Sequence, residues 1–321
     1  MPAFSKRSFL SLLLIPILAA ALAFTGTPAM AAKRVRIASV GWTGVTVKTD
    51  LAVAILQSLG YEADNIMVSV PIAFKAVSTG EADAFMGNWM PSQKSMVTPY
   101  LKDGSIIKSA TNMSGAQYTL AVPTYCAEGG LRNFADIAKF GDKLDWKIYG
   151  IEAGNDGNEI IQNMIDKNMF GLGKFTLVPS SEAGMLAQVQ SYVPDRKWIV
   201  FLGWAPHSMN ERIDMTYLKG STAETFGADD GTAEVWTVLR PGFEKENPNA
   251  ARLLHNMTFS ITMMNRIMAA MHKNESLTPR EAGLQWIKTH PATYRAWLDG
   301  VTTIGGKPGV PAFEAVLQKI K

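Results

Sequence analysis

"VRIASVGWTGVTVKTDLAVAILQSLG", residues 35–60, runs from a short apolar stretch through a glycine-bracketed loop into a helix-like segment. Residues 35–40 are rich in β-branched side chains and read as a strand. Residues 49–59 carry helical apolar spacing and stop at Gly60, a helix-ending residue. Between them the largest apolar side chain, Trp42, sits in a loop with Gly41 and Gly44 beside it. The alternation continues with a strand over 66–70, a helix over 74–80 closed by Gly80, and a strand over 82–87. This β-α-β-α-β order predicts an α/β protein with a mainly parallel sheet wrapped by helices.

A similar unit recurs later. Strands are expected over 147–151, 175–178 and 199–202, and helices over 158–167 and 182–193. The C-terminal third reads as helical, with apolar spacing through 250–271 and 279–288. The expected organisation is a first lobe begun by 32–118, a second lobe over 119–214, and a largely helical return to the first lobe over 215–321. Two such lobes enclose a cleft, a common place for a ligand.

Residues 1–31 read as a signal peptide rather than as part of the fold. Lys6 and Arg7 precede an apolar stretch over 9–24, and Pro28-Ala29-Met30-Ala31 offers a small-residue cleavage site after about Ala31. A membrane anchor is the rival reading, but the stretch is short for a span and Pro16 interrupts it. Cleavage predicts a periplasmic protein. Removing Lys6 and Arg7, and no acid, leaves 29 basic against 28 acidic residues. Such a balance gives no electrostatic footprint for nucleic acid, so recognition must be local. Cys126 is the only cysteine, which excludes an intramolecular disulfide and a cysteine metal cluster. No cofactor or metal is expected.

In open α/β sheets ligands bind beyond the carboxyl ends of the strands. Trp42, Trp89 and Trp204 are each expected just past a strand end, and Tyr118 just before the crossover into the second lobe. One tryptophan alone is more simply a core residue, as expected for Trp146, Trp198, Trp236, Trp286 and Trp297. Three at equivalent positions point instead to aromatic faces converging on one cleft. Such faces suit a quaternary ammonium, which has no N–H to donate and is held by ring quadrupoles at about 0.5–2 kcal/mol per ring.

The stretches "GNWMPSQKSMVTPY" (87–100), "GAQYTLA" (115–121), "IYGIEAGNDGN" (148–158), "SSEAGMLAQV" (180–189) and "IVFLGWAPHSMN" (199–210) resemble the periplasmic choline-binding protein family. That family lies within the glycine betaine/proline betaine/choline binding components of ABC importers, and the resemblance spans essentially the whole mature chain. It implies a two-lobe type II periplasmic-binding-protein fold that closes on ligand, a monomeric carrier serving an ABC permease and its ATPase. It implies an aromatic box of Trp42, Trp89, Tyr118 and Trp204, with Asn155 bonding the ligand's non-cationic end. Independently, Asn155 and Asp156 precede a helix whose free N–H groups attract oxygens, or they simply cap it.

Two departures affect the choice of ligand. Choline binders read Gly-Trp-Thr-Asp where this chain has Gly41-Trp42-Thr43-Gly44, and Trp-Glu-Pro-His where it has Trp204-Ala205-Pro206-His207. A cationic alcohol gains from a nearby carboxylate, whereas a zwitterion carries its own and is repelled by another. The expected ligand therefore leans to glycine betaine or a related betaine, with proline betaine, carnitine and choline as the other candidates. Backbone N–H groups at Gly44 and Val45 are candidate receivers of its carboxylate. His207 is a further candidate, or a structural histidine holding the Trp204 loop.

Two other function classes compete. A hydrolase or lyase finds little support, since the chain has four histidines, no Gly-x-Ser-x-Gly elbow and no His-Glu-x-x-His pair. Glu152 and Glu182 are acids near strand ends that a loop or a helix face explains. A ligand sensor feeding a receptor would use the same fold and cleft.

Overall fold

The computed structural model describes residues 33–320, so the expected signal peptide lies outside the described residues. Among the described residues nine strands form one sheet: β1 Arg34–Ser39, β2 Glu62–Met67, β3 Ala84–Met90, β4 Ile107–Pro123, β5 Lys147–Tyr149, β6 Thr176–Val178, β7 Phe201–Ala205, β8 Met215–Tyr217 and β9 Thr232–Leu239. Their spatial order is β2-β1-β3-β9-β4-β7-β5-β6, with β8 beside β4. The relevant helices are α1 Thr43–Ser58, α2 Val70–Thr79, α3 Lys94–Lys102, α4 Thr124–Glu128, α5 Asp156–Asp166 and α6 Glu182–Tyr192.

The sheet is mixed rather than mainly parallel. β1 runs parallel to β2 and β3, and β5 to β6 and β7, as the β-α alternation predicts. The centre is antiparallel, because β9 returns from the C-terminal third to pair with β3 and β4. That strand was hidden in a region read as helical. The long strand β4 joins the halves: Ile107–Gln117 register against β9, and Gln117–Ala121 against β7. Strand β8 pairs antiparallel with Ala121–Pro123 of β4.

Helix α1 begins at Thr43, well before the expected 49. Val45, Thr46, Val47 and Thr49 are β-branched and lose rotamer freedom in a helix, which masked its start. Burial overrides that preference. Val45, Val47, Leu51, Ile55 and Leu56 are all buried, and each such side chain contributes about 1.5–3 kcal/mol. Strand β2 lies earlier than the expected 66–70, because its partner β1 pairs from Arg34 with Glu62 and Val70 already opens α2. Gly80 closes α2 as expected, at φ 76, where a side chain would be strained. The expected helix over 250–271 is two helices, Pro248–Asn256 and Ile261–Lys273.

Candidate functional site

Trp42 is the N-cap residue of α1, placed there by the turn that ends β1. Trp89 and Trp204 lie inside β3 and β7 rather than beyond them, because pairing with β9 and β4 continues to Met90 and Ala205. Tyr118 of β4 stands directly opposite Trp204 in the ladder. Ring centroids are 5.9 Å apart for Trp89–Tyr118 and 6.2 Å for Tyr118–Trp204, tilted 55° and 76°. Phe226 supports Tyr118 from behind at 5.6 Å and carries no recognisable sequence signal. The four expected aromatics line one cavity. Trp297 is buried elsewhere, and Trp146, Trp198, Trp236 and Trp286 are half-buried away from it.

Gly44, Val45 and Asp156 line the same cavity, as do Ile151, Pro206, Met113 and Met264. Gly44 and Val45 occupy the first turn of α1, where backbone N–H groups have no intrahelical acceptor. Asn155 and His207 are buried behind the cavity rather than lining it. Asn155 caps α5, accepting from the Asn158 N–H at 3.0 Å while its own amide donates to the Glu152 carbonyl. Its capping role is thus realised. His207 Nδ1 accepts from the Met209 N–H at 3.0 Å, and Nε2 is 3.0 Å from Glu182 Oε1.

Acids reach this site from elements remote in sequence. Glu182, expected as a helix-face residue, is buried, and besides meeting His207 it accepts from the Thr43 N–H at 3.2 Å and from the Thr43 hydroxyl. Burial would raise its carboxyl, but the His207 and Thr43 bonds outweigh burial and hold it below the usual range. Glu152 accepts from the Trp42 indole N–H at 2.7 Å, fixing that ring; burial raises its carboxyl. Asp156 opens α5 and takes one bond, 3.2 Å, from the Gln93 amide. Its other oxygen, Oδ2, is within hydrogen-bond geometry of no group among the described residues. Burial raises the Asp156 carboxyl to about 6, only partly opposed by Ser92 and Gln93. Burial, with the nearby Asp156 and Glu152 charges, keeps the Tyr118 hydroxyl protonated. Gly44 and Ala205 bring no carboxylate to this cavity, but Asp156 does.

Gly157 shows how closely the halves are fitted. An added Cβ there would lie 2.0 Å from the Tyr118 hydroxyl. Only glycine lets the start of α5 approach the box.

One lining residue was missed altogether. Lys48 is 2% exposed and lines the cavity, one helical turn beyond Gly44. Its Nζ bonds Asn112 Oδ1 at 3.0 Å, and burial lowers its ammonium to about 7. An earlier helix start would have put Gly44 and Lys48 on one face at i, i+4 spacing. Among the described residues no group of acids, histidines or cysteine could hold a metal ion. Burial pushes the Cys126 thiol up to about 11, which leaves it protonated at neutral pH.

Comparison with known proteins adds independent findings. The family described as the substrate-binding domain of ABC-type glycine betaine transport systems matches residues 33–289. A solved choline-binding protein of an ABC transporter, in complex with choline, is 44% identical, with 88% of this chain and 98% of that one covered and a TM-score of 0.85. Lactococcal OpuAC, closed on glycine betaine, is 25% identical over 83% of this chain and 99% of its own, with a TM-score of 0.74. The glycine betaine/carnitine transport binding protein GbuC of Listeria monocytogenes is 29% identical, over 52% of this chain and 53% of that protein.

Proposed function

Because the chain belongs to the family of substrate-binding domains of ABC-type glycine betaine transport systems, we propose that the aromatic cavity is its ligand site. There it captures a quaternary ammonium compound for an ABC permease and its ATPase. The observation that carries this reading is the convergence of Trp42, Trp89, Tyr118 and Trp204 on one cavity with a buried carboxylate, Asp156. Ring faces replace the water around a trimethylammonium group, and Asp156 supplies a charge for it. Transport binding makes and breaks no covalent bond, and the family is not an enzyme class.

The proposed lobes are 32–118 and 119–214, with the C-terminal segment rejoining the first through β9. Thr43 donates to Glu182, Trp42 to Glu152 and Gln93 to Asp156, each across the proposed lobe boundary. These bonds support a closed arrangement of the proposed lobes. Export with cleavage after about Ala31 and a monomeric periplasmic carrier complete the reading; N-terminal sequencing of the protein recovered from the periplasm tests the cleavage.

The proposed ligand is glycine betaine or a related betaine. The departures at Gly44 and Ala205 support it, since neither position adds an acid that would repel a ligand carboxylate. Choline is the second reading, favoured by the 44% identical choline binder and by Asp156. Calorimetric titration of the mature protein with glycine betaine, proline betaine, carnitine and choline decides between them. Failure of all four to bind removes the proposed function.

The raised Asp156 carboxyl gives a pH prediction for a purely cationic probe, tetramethylammonium. An upward shift means that the empty site holds a proton below pH 6. A bound cation favours the carboxylate, so affinity is full above pH 6 and is lost as pH falls through it. Between pH 7.5 and 5 the affinity is expected to drop about tenfold. Lys48, titrating in the same cavity near 7, gains charge over this range and adds to the loss. In Asp156→Asn the drop shrinks; an undiminished drop in calorimetry would show that Asp156 does not face the cation.

A further inference from the structure

We propose that Lys48 receives the anionic end of the ligand, so that the site is built for a trimethylammonium compound bearing a carboxylate and discriminates against a simple cation. The inference rests on the aromatic cavity being the quaternary-ammonium site.

Lys48 is buried and lines that cavity. No ion pair among the described residues includes it. A buried ammonium without a counter-charge is costly, which is why burial lowers its proton affinity so far. A lysine serving only to fill space would be better replaced by methionine. Its position is nonetheless fixed: Asn112 donates to the Met86 carbonyl at 3.1 Å and to the Thr237 hydroxyl at 3.0 Å, leaving its oxygen to accept from Lys48. That bond uses one of the three ammonium hydrogens; the Phe259 ring centroid lies 5.6 Å from Nζ, which leaves part of the ammonium's donor capacity for the cavity.

Gly44 makes the approach possible. It lies one turn before Lys48 on α1, and helical side chains lean toward the N-terminus, toward the box at Trp42. A Cβ at Gly44 would meet only Met268 Sδ at 3.9 Å and Met264 Cε at 4.0 Å, ordinary contact distances. Packing therefore does not demand glycine here. Its effect is to leave a gap between the box and the lysine, floored by methionines. A ligand with its ammonium in the box and its carboxylate in this gap meets Lys48 and the first-turn N–H groups of α1 together. Choline placed the same way offers Lys48 only a neutral hydroxyl, with no carboxylate to offset two positive charges in one cavity.

The test is calorimetry of wild type and Lys48→Met with three probes of constant ammonium group: choline, glycine betaine and γ-trimethylammonium butyrate. Lys48→Met is expected to weaken the tighter of the two carboxylate ligands about 10- to 100-fold while leaving choline binding unchanged or stronger. An unchanged ratio of betaine to choline affinity overturns the proposal while leaving the box intact. If wild type binds none of the three, the box reading fails first and this one with it. Should Lys48→Met not fold, Gly44→Asp is the second variant, since its acid, one turn away, pairs with Lys48. It is expected to shift preference in the same direction, from the carboxylate ligands toward choline; no shift overturns the proposal.

Discussion

Alanine at both Trp89 and Trp204 is expected to lower affinity for quaternary ammonium ligands at least about 100-fold while the protein stays folded. The two rings flank Tyr118, at 5.9 and 6.2 Å. Each ring face contributes up to about 2 kcal/mol in a water-excluding cavity, and their loss also admits water to the cation. Trp42 is spared in this variant because its indole holds Glu152, and removing it would leave a buried carboxylate without that donor. The β3 and β7 ladders need only the backbone at positions 89 and 204, so far-ultraviolet circular dichroism should match wild type. Titration calorimetry gives the affinity. A doubly substituted protein that still binds at wild-type strength would move the ligand site elsewhere.

Glu182→Ala is expected to destabilise the protein by about 3 kcal/mol and to lower its melting temperature by roughly 5–10 °C. Glu182 answers three groups at once: the His207 ring, the Thr43 hydroxyl and the Thr43 N–H at the start of α1. Removing it strands a buried imidazole and an orphan helix N-terminus, and it cuts a link between the two halves. Because the folded carboxyl lies below its ordinary value, its stabilising contribution is fully present above about pH 4.3. That contribution is lost as pH falls through the lower folded value. The gap in stability between wild type and Glu182→Ala should therefore narrow in strong acid. Denaturant unfolding at pH 7 and near pH 3 measures both effects; a variant as stable as wild type at pH 7 would show that these bonds contribute nothing.

The α/β alternation and the four aromatics that meet in one cavity were legible because each leaves a local mark. Strand and helix periodicities, terminal glycines such as Gly80, and tryptophans in glycine-rich contexts are all properties of neighbouring residues. Strand β9 was not legible, since Thr232–Leu239 follows no helix and gains its place only by pairing with β3 and β4. The start of α1 was hidden for a related reason: β-branched residues disfavour a helix locally, and burial outweighs that local preference. The late start expected for α1 also concealed Lys48, which looks like an ordinary surface residue until the helix is begun at Thr43.

By itself the sequence determined that two β-α units build an α/β protein, and that Trp42, Trp89, Tyr118 and Trp204 are its unusual aromatics. Tertiary structure alone decided the charges around them. Asp156 comes from α5, Glu152 from the loop before it and Glu182 from α6, all far along the chain from Trp42, while Lys48 comes from inside α1. A ring announces itself by type and context. The protonation of a buried acid or amine is set by desolvation and by partners that only folding brings within reach.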